Sequence, residues 1–273
     1  MKRTLSRTAL YLTLGVFAFV ALYPVFWMFA CAGKTREEAA KDMWGLPGAW
    51  TWDNFAFVLL RSNFPRYALN SLVVTASAVA ITLVAAALAA FAFARLRFRG
   101  GTVLFVALLA GMMVPVHIVL VPLLKLFGAL GLNDTRTAVT AAYVAISLPV
   151  SVFILRGFFE GVPRELEEAA RIDGCSDARL FWHVMLPMAR PALAVVAIFN
   201  AVTLWNEFVF ALTLLTTPER MTIPLGMFEF SDQYSSDVPR MCAALALSVL
   251  PMFLVYLLAQ KHIIRGLTGA VKG

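Results

Sequence analysis

The chain has 273 residues, of which 61% are hydrophobic and only 14% are charged, with a formal net charge of +7 and a mean hydropathy of +0.80. Soluble domains are about 45–50% apolar and about 25% charged, so this chain has more apolar surface than a water-facing fold can bury. The composition excludes a soluble enzyme and a disordered chain, and three cysteines are too few for a disulfide scaffold. We expect an integral membrane protein.

Six segments are long and apolar enough to cross a bilayer, which takes about 20 residues. Five of them contain no charged residue, and the fifth in chain order contains only Glu207. We number them as spans one to six: residues 8–33, 67–94, 100–124, 137–155, 191–218 and 241–260. No ten-residue alternation typical of membrane barrels is present. The predicted fold class is an all-α membrane protein with six transmembrane helices.

The positions of the basic residues predict the orientation of these spans. Most of the 23 lysines and arginines fall on the side that holds both termini, in short groups within residues 2–7, 95–99, 156–190 and 261–272. Lysine and arginine near membrane spans favour the cytoplasmic side, so both termini are expected in the cytoplasm. The groups are short and scattered, which argues against nucleic acid as a partner.

The connection between spans four and five is the one cytoplasmic loop with a helical pattern of its own. It reads GVPRELEEAARIDGCSDARLFWHVMLPMARP. Pro163 suits the first turn of a helix, Gly174 suits the left-handed position that ends one, and Ser176 can cap a second short helix that stops at Leu186-Pro187. An amphipathic hairpin on the lipid surface is one interpretation. Its mixture of acidic and basic side chains instead favours a docking surface for a soluble protein.

Within this loop, Glu168-Ala169-Ala170 is followed by Gly174 and then by Leu186-Pro187. This spacing resembles the EAA motif of binding-protein-dependent ATP-binding-cassette (ABC) importer permeases, in particular the carbohydrate-importing (maltose-type) branch. Further segments that resemble the family are SVFILRGFFEGVP, NSLVVTASAVA, FAFARLRFRG, TLWNEFVFALTLL, TIPLGMFEF and IIRGLTGAVKG, so the resemblance runs from about Pro47 to Gly273. Glu38-Ala39-Ala40 also spells EAA, but it lacks the glycine and the Leu-Pro pair, and we interpret it as a solvated helical turn.

The resemblance implies a type I ABC importer permease in a bacterial or archaeal plasma (inner) membrane. In that family the EAA loop, here residues 160–190, is the coupling helix that docks in a cleft of the ATPase. The ATPase-coupling residues that it implies are Glu168, Ala169, Ala170, Asp173, Gly174, Leu186 and Pro187. The carboxyl tail, residues 266–273, is also expected near the ATPase. The implied division is a peripheral first span with its extracytoplasmic loop, residues 1–66, and a core of five spans, residues 67–273.

The implied partners are a second, non-identical permease, a dimeric ABC ATPase, an extracytoplasmic sugar-binding protein and membrane lipid. The chain has no G-x-x-x-x-G-K-[ST] phosphate-binding loop. We therefore expect no catalytic site and no cofactor in this chain, with ATP and Mg²⁺ bound by the partner ATPase.

Polar residues inside span five are candidates for the substrate pathway. They are Asn200, Thr203, Asn206 and Glu207, and a continuous helix would place Asn200, Thr203 and Glu207 on one face. Ionisable groups in a span usually face a cavity or a partner. Either a direct contact between Glu207 and sugar or a structural role is compatible with the sequence, and Asn200 is the better pathway candidate.

His117 lies in span three between Pro115 and Pro122, which favour a kinked or broken helix. We interpret His117 as a hydrogen-bonded packing residue, because no second metal ligand lies at a useful spacing. Three other functions remain as alternatives: a permease for a solute other than sugar, a secondary transporter and a polytopic membrane enzyme. The last would require a titratable cluster near one membrane face, and inverted halves typical of many secondary transporters are not evident.

Overall fold

The computed structural model describes the backbone of residues 2–234 and 237–270, and within these ranges all side chains except those of residues 2–9, 229, 232 and 258–270. Residues 271–273 of the predicted ATPase-proximal tail lie outside the described residues. The described chain is helical and contains no strand. The α-helices are α1 (Lys2–Ala32), α2 (Arg36–Lys41), α3 (Asp53–Arg61), α4 (Phe64–Arg95), α5 (Gly101–Ala110), α6 (Val116–Ala129), α7 (Arg136–Gly161), α8 (Arg164–Ile172), α9 (Asp177–Leu180), α10 (Leu186–Met188), α11 (Arg190–Trp205), α12 (Val209–Leu214), α13 (Ile223–Gln233) and α14 (Val238–Ala270).

Four continuous helices are long and apolar enough to span a membrane: Leu10–Ala32, Phe64–Arg95, Arg136–Gly161 and Val238–Leu257. They correspond to predicted spans one, two, four and six. Two bent pairs add two spans if each pair crosses once, namely Gly101–Met113 with Val116–Ala129, bent by 103°, and Asp177–Met188 with Arg190–Trp205, bent by 72°. The all-α class with six spans is therefore confirmed.

Span three is broken, as its two prolines predicted, whereas the expectation of a continuous helix was wrong for span five. Span three breaks between α5 and α6 at Pro115, where a short 3₁₀ turn, Gly111–Met113, also ends. Proline has no N–H and disfavours the helical conformation in the residue before it, which explains a break at this place. Pro122, by contrast, lies inside α6. In span five, α11 ends at Trp205 and α12 begins only at Val209.

The described chain divides into two compact units. The first unit comprises Met1–Ala68 and Gly226–Pro251. In it Asn54 is buried and donates to the carbonyls of Ala32 and Lys34, at 2.8 and 2.7 Å. A Cβ added to Gly226 would lie 2.2 Å from the Tyr67 ring, so a glycine is required for this close approach. These contacts give the first unit a specific packing although much of α1 is exposed.

The second unit comprises Leu69–Leu225 and Met252–Gly273, and it has two apolar cores. One core joins α4, α6, α7, α11 and α12 around the buried side chains of Tyr143 and Phe210. The other core joins the carboxyl-terminal halves of α4 and α7 to the segment from α9 to α11, around Phe91, Phe159 and Phe181. The loop that carries the EAA motif is thus attached to a packed core.

Candidate functional site

The hairpin formed by α8 and α9 is the first candidate site, and its turn has a defined hydrogen-bond pattern. Gly174 has φ +79°, its N–H donates to Arg171 O at 3.0 Å, and the N–H of Cys175 donates to Ala170 O at 3.0 Å. These two bonds form a Schellman motif, which closes the end of α8. The predicted role of Gly174 in ending the helix is confirmed. Pro163 lies one residue before α8, at its N-cap, and not in its first turn.

The outward surface of α8 combines charge with uncovered apolar side chains. Glu168, Ala169, Asp173 and Gly174 are exposed, and Ala170 is half-buried and packs against the core around Phe91, Phe159 and Phe181. Two large apolar residues of the same helix are uncovered, Leu166 at 42% and Ile172 at 86% exposure. A helix that exposes apolar residues beside charged ones in this way has the composition of a docking surface.

The second helix of the hairpin is anchored inward. Ser176 accepts a hydrogen bond from the N–H of Arg179 at 3.4 Å, so the predicted cap is present. Leu180, Phe181 and Met185 are buried, and the Phe181 and Phe91 rings lie 5.2 Å apart. The chain passes through a π-turn, Phe181–Met185, before α10, where Leu186 and Pro187 are half-buried. One helix of the hairpin is therefore held by the core while the other faces outward.

Arg95, which no sequence motif distinguishes, connects the outward helix to the spans. Its side chain is 5% exposed, and its Nη2 donates to the carbonyls of Phe159 and Val162 at the end of α7. Its Nη1 lies 3.5 Å from a carboxylate oxygen of Glu167 in α8. The only sequence signal for this role was a basic residue at the end of a span, which several other positions share.

The ion pair continues along the hairpin. Arg171 donates to Glu167 at 3.0 Å and to Asp177 of α9 at 2.8 Å. The hydrogen bonds with Glu167 and then with Asp177 raise the pKa of the Arg171 guanidinium above its ordinary value. Both helices of the hairpin are thereby linked to Arg95 through charged side chains.

The polar residues of span five do not share one surface. Asn200 is buried in α11 and donates to Ser151 Oγ of α7 at 2.9 Å. Thr203 and Asn206 are exposed, and they bond the carbonyls of Phe199 and Val202, each at 2.8 Å. Of the four candidates, only the exposed pair presents a polar side chain to open space.

Glu207 lies in the break between α11 and α12. The prediction that Asn200, Thr203 and Glu207 share one face of a continuous helix was therefore wrong. Its carboxylate accepts the N–H groups of Phe210 and Ala211 at 3.0 and 3.4 Å, and its carbonyl accepts the hydroxyl of Tyr143 at 3.2 Å. Free N–H groups at the start of a helix attract a carboxylate. Glu207 therefore supplies the partners that the interrupted backbone lacks.

The break in span three borders an apolar cavity of about 470 Å³ between this span and α7. Its lining includes Met112, Val119, Pro149 and Phe210. His117 is exposed in the first turn of α6 and does not line the cavity. No group of three or more metal-ligating side chains occurs among the residues that the structure describes.

Comparison with known proteins assigns the chain to a class. Residues 81–269 match the family described as binding-protein-dependent transport system inner membrane component. A putative ABC transporter permease of Caldicellulosiruptor sp. is 43% identical over 96% of both chains. The permease of a diacetylchitobiose uptake system of Streptomyces coelicolor is 35% identical over 89% of this chain and 82% of its own.

The fold also matches a solved structure. A crystal structure of a bacterial ABC transporter involved in the import of the acidic polysaccharide alginate contains a chain that superposes with a TM-score of 0.81 at 25% identity, covering 96% of this chain and 97% of that one. The chain belongs to the family of binding-protein-dependent transport system inner membrane components. It is a multi-pass inner-membrane permease subunit of an ABC importer, as the EAA resemblance implied.

Replacing Glu207 by Leu should destabilise the protein, because the N–H groups that start α12 lose a charged acceptor. Hydrogen bonds to charged groups contribute about 1.5–3 kcal/mol each, so we expect a clear fall in the melting temperature of the detergent-solubilised protein. Asn206→Leu is the matched control, since Asn206 makes only a bond within its own helix. Equal melting temperatures for the two variants would contradict this role of Glu207.

Proposed function

We propose that this permease forms half of the pathway of a sugar importer and that α8 is its coupling helix to an ATPase. The observation that carries the proposal is the outward surface of α8, with its exposed Glu168, Ala169 and Ile172, closed by the Schellman turn at Gly174. A short rigid helix with an uncovered apolar and charged surface fits a cleft in a folded partner better than it fits lipid.

The partner must supply ATP hydrolysis, since the sequence has no phosphate-binding loop. A dimeric ABC ATPase would bind ATP and Mg²⁺ and move one coupling helix in each of two permeases. Glu168, Ala169, Ala170, Asp173 and Gly174 would lie at the contact, with Leu186 and Pro187 supporting it from the half-buried side. The second permease is a different chain, and an extracytoplasmic binding protein delivers the solute.

Sugar is the substrate class that the related proteins favour. The relatives include a permease of a diacetylchitobiose uptake system, and the superposable structure belongs to an ABC transporter involved in the import of alginate. Hydroxyl-rich solutes need neutral hydrogen-bonding side chains, and Thr203 and Asn206 of α11 offer them in an exposed position. A permease for another class of solute is the second candidate. Stimulation of ATP hydrolysis by sugars or by other solutes distinguishes the two candidates.

Asn200 would join the pathway in another state of the transport cycle. In the described conformation its amide is bonded to Ser151 on α7. Alternating access by rocking of helices would separate α11 from α7 and free the amide for a sugar hydroxyl. Glu207 is bonded to the start of α12, and it would border the pathway and stabilise the helix start that lines it.

We further propose that both termini lie in the cytoplasm and that residues 1–66 form a peripheral part beside a core of residues 67–273. The concentration of lysine and arginine on the side that holds both termini, within residues 2–7, 95–99, 156–190 and 261–272, supports this orientation. The long exposed apolar surface of α1, from Leu10 to Phe26, suits contact with lipid.

The function is tested by purifying the chain with its genomic neighbours. We expect an ABC ATPase, a second permease and a binding protein to co-purify, and ATP hydrolysis in proteoliposomes to rise when the binding protein is loaded with an oligosaccharide. Diacetylchitobiose and alginate oligosaccharides are the first probes, with amino acids and peptides as controls. Stimulation by the latter alone would contradict sugar as the substrate class, and absence of any ATPase would contradict the coupling role.

Gly174→Asp should leave the protein inserted and detach the ATPase. The left-handed φ of +79° strains any side chain by about 1–2 kcal/mol, and the added carboxylate changes the charge of the docking surface. Gly174→Ala isolates the strain and should weaken binding less. Gly161→Asp is the matched control, because Gly161 is exposed, has an ordinary φ and has open space around it. ATPase recovery equal to wild type in the Gly174→Asp pulldown would contradict the coupling role of this turn.

The orientation predicts which positions an impermeant thiol reagent reaches. In a Cys175→Ser background, the exposed Ala40→Cys should react in intact cells, whereas the exposed Phe98→Cys should react only after permeabilisation. The two remaining native cysteines, Cys31 and Cys242, are buried and should stay silent. The reverse pattern would place the hairpin outside the cell and overturn its docking to a cytoplasmic ATPase.

Asn200→Leu should lower sugar uptake several-fold while assembly is retained, because the variant cannot bond a sugar hydroxyl. Ser151→Ala is the control that separates two roles of Asn200. It removes the Asn200 partner in the described conformation but leaves the amide available to solute, so uptake should persist. Equal loss of uptake in both variants would show that the bond between α7 and α11, and not contact with solute, is what matters.

A further inference from the structure

We infer that Arg95 is a positioning residue of the coupling apparatus: it holds α8 against the ends of α4 and α7, so that displacement of α8 moves both spans. The inference rests on the proposed function, because it assumes that an ATPase moves α8. It assigns a role to two residues, Arg95 and Glu167, that lie outside the EAA motif and away from the outward docking surface.

The first step of the argument is the position of Arg95. It is the last residue of α4, and its side chain turns inward to 5% exposure although it ends a membrane span. A guanidinium is always charged, and burying one is costly unless it is paired and hydrogen-bonded. A buried arginine in this place therefore indicates that its contacts contribute to the structure or to its movement.

The second step is that three segments meet at this one side chain. Nη2 donates to the carbonyls of Phe159 and Val162 at the carboxyl-terminal end of α7, where Phe159 O also accepts the Val162 N–H at 3.2 Å. Nη1 pairs with Glu167 of α8 at 3.5 Å. A planar guanidinium with donors in fixed directions can serve all of these acceptors at once, whereas an ammonium cannot hold the same fork.

The third step compares the two helices of the hairpin. The segment after α9 is fixed by apolar burial of Leu180, Phe181 and Met185. Helix α8 contributes only the half-buried Ala170 to that core. Helix α8 is therefore attached to the spans mainly through Glu167. This side chain is 15% exposed, and its carboxylate pairs with Arg95 and with Arg171.

The adjacent carboxylates of α8 consequently have different roles. Glu167 faces the spans, and Glu168 is exposed on the surface that we assign to the ATPase. A force applied at Glu168 reaches α4 and α7 through the backbone of α8 and the Glu167 to Arg95 pair. If that pair is removed, α8 can still dock, but it can shift without carrying the spans with it.

The test measures transmission in the assembled importer and needs no solute. In the Cys175→Ser background, Thr203→Cys reports the state of α11, which packs with α4 and α7 in one apolar core, and Thr203 is exposed in the described conformation. The rate at which a hydrophilic thiol reagent labels it is measured with and without a non-hydrolysable ATP analogue. In the parent protein, which keeps Arg95, we expect the analogue to change the labelling rate. In Arg95→Gln we expect this nucleotide-dependent change to be about fivefold smaller while the ATPase stays bound.

Three further variants separate positioning from mere stability. Arg95→Lys keeps the charge and should restore part of the response, and Arg97→Gln removes an exposed cation from the same loop and should behave as wild type. Glu167→Gln combined with Arg95→Gln should reduce the response no further than Arg95→Gln alone, since Glu167 reaches the spans through Arg95 and its other partner, Arg171, lies within the hairpin. A purely structural role would lower the yield of complex but leave the response of each assembled complex unchanged.

Two failures are distinguishable. Loss of the ATPase from the parent complex would contradict the proposed function. An ATPase that is retained, with equal nucleotide responses in the parent and in Arg95→Gln, whether large or absent, would overturn the role of Arg95.

Discussion

Backbone groups at helix ends lack partners within the helix, and where they are buried in protein or in the hydrocarbon of a membrane no water satisfies them; this constraint explains where the chain is allowed to break. The carbonyls of Phe159 and Val162 at the end of α7 are met by Arg95. The N–H groups at the start of α12 are met by Glu207. At these two places a charged side chain lies where the helical hydrogen bonding stops, and it joins neighbouring segments.

The hairpin shows how one short segment can be both fixed and available. Apolar burial around Phe181 attaches its second helix to the spans, while the Schellman turn at Gly174 presents α8 as a rigid surface. A surface that is rigid before binding loses less conformational entropy when the partner docks. The cost is an exposed apolar residue, Ile172, which a partner would cover.

Span five illustrates a different use of polar groups. Its break at Glu207 divides the span into a longer helix, α11, and a short one, α12, and the Glu207 carboxylate bonds the first N–H groups of α12. Asn200 and Ser151 form a single neutral hydrogen bond between α11 and α7. Such a bond contributes only about 1 kcal/mol net, so the proposed separation of α11 from α7 would cost little.

The sequence alone determined the fold class, the six apolar spans, the two-helix loop and the family, because these depend on hydrophobic length and on local turn chemistry. The ends of α8 could be predicted from Pro163 and Gly174, and the break in span three from Pro115, since proline and glycine act on their own backbone. The break at Glu207, the burial of Asn200 and the meeting of Arg95 with Phe159, Val162 and Glu167 were decided only by the tertiary structure. Each of these features depends on hydrogen-bond donors and acceptors that the fold brings together from distant parts of the chain. No local sequence pattern indicates which of several basic or polar residues in a span will form such a contact.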